Sequence, residues 1–149
     1  TLGLSEQHLA SYASRLGSDC AFFIYNRPMF GEGRGEILTE YPVEVLNYDP
    51  ESCTSAGLDI QVIAPHGISV STKDAYGGIV PRQPEMPLRE VLSRPVDQWQ
   101  ELLVNDFEET VFARYPELAA IKKSLYDTGA VYASMSGSGS AFFALYEMK

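Results

Sequence analysis

Positive charge is scarce in this chain. Eleven Lys and Arg stand against 20 Asp and Glu, giving a formal net charge of −9 and an isoelectric point near 4.6. An acidic surface repels nucleic-acid phosphates and anionic membranes, which argues against both as broad partners and leaves room for a local basic pocket only. Cysteine is nearly absent. Cys20 and Cys53 are the two present, and neither belongs to a CxxC or Cys/His cluster. That argues against a disulfide scaffold or a zinc site and for a reducing compartment. His8 and His66 are isolated, so no metal or nucleophile chemistry is built on them. No apolar run approaches the ~18 residues of a membrane span and no signal peptide opens the chain, so a cytoplasmic location is expected.

Apolar residues are plentiful, at 45% of 149 residues, which is enough for a packed core. Ser5 is a good N-cap, and Leu9, Tyr12, Ala13 and Leu16 predict an amphipathic helix over 6–16 with Gly17 at its end. Ser18-Asp19 reads as a tight turn into "CAFFIY", an apolar run of strand type. Glycines 31, 33 and 35 suggest an irregular hairpin, and 47–57 is a polar loop and the best boundary. "LDIQVIAP" reads as a strand, and Ser71 or Thr72 as the cap of a short helix. Pro81, Pro84 and Pro87 mark an irregular connection before short helices at 88–92 and 96–103.

Asn105-Asp106-Phe107-Glu108 has the form of a capping box for a helix through Arg114, with Asn105 and Asp106 most simply caps. Pro116 opens another helix, with Leu118, Ile121 and Leu125 on one face and Gly129 beyond it. Trp99 reads as core. "VYASM" and "AFFALYE" are strands around Ser136–Ser140, and the mixed order predicts an α+β fold.

"SGSGS" can be a hairpin turn, a linker, or a loop whose N–H groups face an anion. No lysine follows in a GK[ST] pattern, so a bound phosphate would draw positive charge from elsewhere. Asp19 can cap a turn or accept a proton. Thr72 and Tyr76, four apart, share a helix face, either as cap and core aromatic or as a hydroxyl and a ring for a ligand. Glu32, Arg34 and Glu36 read as exposed hairpin charges.

Three stretches carry a family resemblance. "NDFEETVFARYPELAAIKKSLYDTGAVYASMSGSGSAFFALYE" resembles the C-terminal half of the GHMP kinase superfamily. "RLGSDCAFFIYNRPMFGEGRGEIL" is similar to its "LGxDxPFF…G…A…GxGE" segment, with Ala21 in place of the usual proline, and "ISVSTKDAY" to its "xxxSTxxxY" segment.

The resemblance implies the tail end of an N-terminal kinase domain over 1–50 and a truncated, ferredoxin-like C-terminal domain over 51–149. It implies an ATP- and Mg2+-dependent kinase with an alcohol acceptor, a cytidine-diphosphate sugar alcohol of isoprenoid-precursor synthesis. Asp19 matches the catalytic aspartate. Thr72 and Tyr76 match positions at the cytidine, and Ser136, Gly137, Ser138 and Gly139 the loop near the phosphates. No metal ligands are assigned. The chain opens on Thr1 without a methionine and stops in a strand, so both ends look cut. A glycine-rich ATP loop and a lysine are expected upstream, and the 149-residue chain alone is expected to be inactive. Two readings stay open beside this one: another GHMP kinase, acting on mevalonate or homoserine, and a noncatalytic α+β binding domain.

Overall fold

A computed structural model describes residues 3–41, 48–49, 54–55 and 57–148. The chain divides into two compact units, Thr1–Glu44 with Pro50–Ser52 and Val45–Asp49 with Cys53–Lys149. The fold is α+β.

In the first unit, helix α1 spans Glu6–Ala13, with the Ser5 hydroxyl accepting the His8 N–H at 3.3 Å. The helix is shorter than its pattern suggests, since residues 14–16 form a turn. The pattern also overstates burial: Leu9, Tyr12 and Leu16 are exposed, while Ala10 and Ala13 are buried. "CAFFIY" is a helix, α2 (Cys20–Tyr25), not a strand. A six-residue apolar run carries no period that separates the two states. Asn26 closes α2 in the left-handed conformation, φ +46, with its N–H on the Phe22 carbonyl. That asparagine, with Pro28 just beyond, is the signal that the run is helical. Cys20 is a free thiol; Cys53 lies outside the described residues. Strands β1 (Met29–Glu32) and β2 (Ile37–Glu40) form the expected antiparallel hairpin.

The second unit is built on a five-stranded antiparallel sheet. Its strands are β3 (Tyr48–Asp49), β4 (Thr54–Ser55), β5 (Leu58–Ile63), β6 (Tyr132–Met135) and β7 (Phe142–Glu147), in the order β3-β4-β5-β7-β6. Part of the 47–57 segment lies outside the described residues. Between β5 and β6 come α3 (Thr72–Gly77), α4 (Leu88–Leu92), a 3-10 turn (Val96–Gln98), α5 (Trp99–Leu102), α6 (Phe107–Arg114) and α7 (Pro116–Asp127). Ser71, not Thr72, is the cap of α3.

Strand alternation divides the core in two. Ala133, Met135, Phe142 and Ala144 pack with Ala75, Val111, Leu118 and Leu125 of α3, α6 and α7. Tyr132 and Leu145 point the other way and pack with Leu58, Val91 and Trp99. The Tyr132 hydroxyl donates to the Leu103 carbonyl at 2.8 Å, and burial pushes its phenol up to about 12.

Strand β6 is a sheet edge, and side chains cover it. The Tyr126 hydroxyl donates to the Ala133 carbonyl and accepts the Ala133 N–H, both at 3.1 Å. Two residues on, Met135 is held the same way. Glu108 Oε1 accepts its N–H at 2.8 Å and Asn105 Nδ2 donates to its carbonyl at 2.7 Å. An exposed edge is thereby closed to further strands.

Candidate functional site

The Ser-Gly loop joins β6 to β7, so the linker reading falls away. Ser136 N–H donates to the Ala141 carbonyl at 2.8 Å and Gly139 N–H to the Ser136 carbonyl at 3.0 Å. Gly137 and Gly139 both have positive φ, +54 and +89, a region that costs other residues strain. A β-carbon on Gly139 would lie 2.6 Å from Met135 Sδ. Among the described residues, the N–H groups of Gly137, Ser138 and Ser140 have no acceptor. Free N–H groups on a glycine-rich bend are the donor set of an anion nest.

The loop is tied down on several sides. Ser140 Oγ donates to the Ile68 carbonyl at 2.7 Å, and Ser138 Oγ lies 3.4 Å from Thr72 Oγ1. Thr72 therefore stands beside the loop from sequence position 66 residues away. Asn105 Nδ2 also reaches the Gly137 carbonyl, at 2.9 Å.

Helix α6 organises this side of the unit. Tyr76 leaves 64% of its surface exposed and rests edge-on against Phe107, ring centroids 4.8 Å apart. Thr110 Oγ1 donates to the Gly78 carbonyl at 3.0 Å, and a β-carbon on Gly78 would collide with the Thr110 methyl. Arg114 pairs with Asp74 at 3.0 Å. These contacts lock α3, with Thr72 and Tyr76, onto α6. Tyr76 is an exposed ring, not a core aromatic.

The capping-box expectation at α6 is overturned. Asn105 Oδ1 does accept the Phe107 N–H at 3.0 Å, but Asp106 makes no side-chain cap bond and pairs with Arg82 at 3.4 Å. Glu108 does not reach back to the cap. It is 7% exposed, accepts from Met135 N–H and Ser134 Oγ, and pairs with Lys122 Nζ at 2.5 Å. The partner chemistry of Asn105 and Glu108 was hidden because Met135, Gly137 and Lys122 lie on other elements at no helical spacing. The one hint was redundancy: Asn105 and Asp106 are both cap formers where one suffices.

Asp19, in the first unit, stands in the turn between two helices rather than between helix and strand. The apolar run after it is only partly buried: Ala21 is, while Phe22 and Phe23 are 39% and 73% exposed. Asp19 makes no cap bond to α2; Ser18 Oγ donates to its Oδ1 at 3.3 Å. The hairpin tip reaches the same carboxylate at Gly35. Glu36 Oε2 shapes that tip by accepting the Arg34 N–H at 2.6 Å, and backbone N–H donors hold its carboxyl below the usual range.

Two concavities of about 430 and 700 Å³ flank the Arg82–Asp106 pair and are not lined by Asp19, Tyr76 or the loop. No helix among the described residues is long and apolar enough to cross a membrane.

The segment bearing α4–α7, the loop and its flanking strands carries the family similarity. Residues 88–149 match the family described as GHMP kinases C terminal. This part of the chain is similar to the C-terminal part of GHMP kinases. The GHMP match extends to whole-chain relatives. The chain is 46% identical over 98% of its length to 4-diphosphocytidyl-2-C-methyl-D-erythritol kinase of Bacteroides thetaiotaomicron, covering 49% of that protein. It is 40% identical over its full length to the kinase of that name from Porphyromonas gingivalis, covering 51%. A crystal structure of 4-(cytidine 5'-diphospho)-2C-methyl-D-erythritol kinase superposes with TM-score 0.71 at 27% identity, over 92% of this chain and 47% of that one. The chain thus spans about half the length of the GHMP kinases it matches.

Proposed function

We propose that this chain supplies the second half of an ATP-dependent kinase that phosphorylates the 2-hydroxyl of 4-diphosphocytidyl-2-C-methyl-D-erythritol, in the cytoplasm. Residues 1–50 are then the tail of its N-terminal domain and 51–149 its C-terminal domain. The observation that carries the reading is the loop with three acceptor-free N–H groups beside Thr72, within a chain 46% identical to a kinase of that name. The relatives named above are not mevalonate or homoserine kinases, which disfavours those acceptors.

In this reading the free N–H groups of Gly137, Ser138 and Ser140 face ATP phosphate oxygens. The Tyr76 ring stacks on cytosine and the Thr72 hydroxyl hydrogen-bonds the substrate. The acceptor oxygen attacks the γ-phosphorus, its proton passes to the Asp19 carboxylate, and ADP leaves. Positioning and charge neutralisation supply most of such catalysis. Mg2+ is assigned to the ATP itself, where it neutralises phosphate charge; among the described residues no three His, Cys, Asp or Glu side chains gather as metal ligands. Exposed Leu9, Tyr12, Leu16 and Phe23 fit a first unit that packs against further kinase structure.

The test is a phosphorus NMR assay of the full-length kinase with ATP and the cytidine substrate. A new phosphomonoester together with ADP is expected. Folded enzyme that yields neither overturns the reading.

A further inference from the structure

We infer that Asn105 is a positioning residue for the Ser-Gly loop, holding it so that the Ser138 N–H faces outward. Every hydrogen-bonding group of this side chain is used. Its two amide hydrogens go to the Met135 and Gly137 carbonyls at 2.7 and 2.9 Å, and its Oδ1 accepts Phe107 N–H at 3.0 Å. In a trans peptide unit the C=O and the following N–H point in opposite directions. Drawing the Gly137 carbonyl onto Asn105 therefore turns the Ser138 N–H away from it. Drawing in the Met135 carbonyl does the same for the Ser136 N–H, which meets Ala141 at 2.8 Å.

Glu108 anchors the other side of the same residue through the Met135 N–H, and Lys122 fixes Glu108 in turn. Met135 is thus gripped at both backbone groups by the start of α6. Beyond it, Gly137 takes φ +54 with open space around its α-carbon, so no side-chain packing fixes its peptide. Without the Asn105 donors the Ser138–Thr72 and Ser140–Ile68 contacts would remain, but neither holds the Gly137 carbonyl, and glycine is the least restricted residue. A cap needs only the Oδ1 acceptor; the clamp needs the amide donors.

Asn105→Asp separates the two roles. It keeps the acceptor for Phe107 and suits the helix N-terminus, but sets a carboxylate against two carbonyl oxygens. Asn105→Ala removes both roles. The inference rests on the phosphate role proposed for the loop, so two readouts are taken on the full-length kinase. Backbone amide exchange at Ser136 and Gly139, whose N–H groups are bonded to the Ala141 and Ser136 carbonyls, should quicken about 10-fold in Asn105→Asp, with α6 protection unchanged. KM for ATP should rise about 10-fold while KM for the cytidine substrate stays within about 2-fold, the loss expected for one or two hydrogen bonds. Wild-type exchange and KM in Asn105→Asp overturn the inference and leave Asn105 a cap. Faster exchange with an unchanged KM for ATP also overturns it, since the loop would then not need positioning. Should the wild-type enzyme transfer no phosphate, the kinase reading fails by itself, and exchange alone judges the clamp.

Discussion

The Asp19 carboxylate lies 3.2 Å from where a β-carbon on Gly35 would stand. Gly35 has φ +99, so the hairpin tip can come this close only with a residue that has no side chain. Gly35→Ala should therefore cost about 1–3 kcal/mol through backbone strain and push the Asp19 carboxylate aside. Thermal unfolding and kcat of the full-length kinase measure both effects. Native values for both would mean that the tip does not constrain Asp19.

Asp19→Asn tests the proton acceptor. General-base contributions run to about 10²–10⁴-fold, and kcat should fall by that much. Asp19 is exposed and makes no cap bond, so the unfolding midpoint should not move. A stable variant with near-native kcat removes Asp19 from the mechanism.

Tyr76→Ala should raise KM for the cytidine substrate about 5- to 150-fold, corresponding to ~1–3 kcal/mol of stacking, and Tyr76→Phe should be mild. The ring is mostly exposed, so stability should change little. An unchanged KM in folded Tyr76→Ala would make the ring a packing partner of Phe107 only.

Glu108→Ala leaves Lys122 and the Met135 N–H without their partner. Lys122 is 21% exposed, so losing its partner together with the acceptor of the Met135 N–H costs about 1–3 kcal/mol. The Glu108→Ala, Lys122→Met pair should recover part of that loss, because no half-buried ammonium is left without its partner. Denaturant unfolding of the four proteins in the cycle measures the coupling; a coupling of zero would place the pair effectively in water.

Tyr132 makes stability fall at high pH. Its folded phenol is raised from 10.0 to about 12, so the stabilisation is complete below pH 10 and is lost as pH rises from 10 through about 12. Two pKa units correspond to about 2.7 kcal/mol. Tyr132→Phe should flatten that part of the stability–pH curve. A variant curve as steep as the wild-type one would show that another group titrates there.

Local signals were legible where one residue type decides the geometry. Ser5 at a cap, Pro116 at a first turn, Gly129 past an end and Gly33 and Gly35 at a hairpin tip all place elements as the sequence implies. "CAFFIY" was not legible, because six apolar residues in a row carry no period, and the deciding Asn26 lies outside the run. Glu108 was misread for a related reason. A glutamate at the third helical position fits a capping box from sequence, but burial against Lys122 and Met135 gives it stronger partners.

The sequence alone determined the α+β class, the Ser-Gly loop between two strands and the family resemblance, since these depend on residue type and order along the chain. Tertiary structure decided what the loop touches. Thr72 meets Ser138 across 66 residues, and Asn105 reaches Gly137 across 32. Such contacts depend on how α3 and α6 pack against the edge of β6. Hydrogen bonds form wherever packing brings donor and acceptor within about 3 Å, and no spacing along the chain encodes that distance.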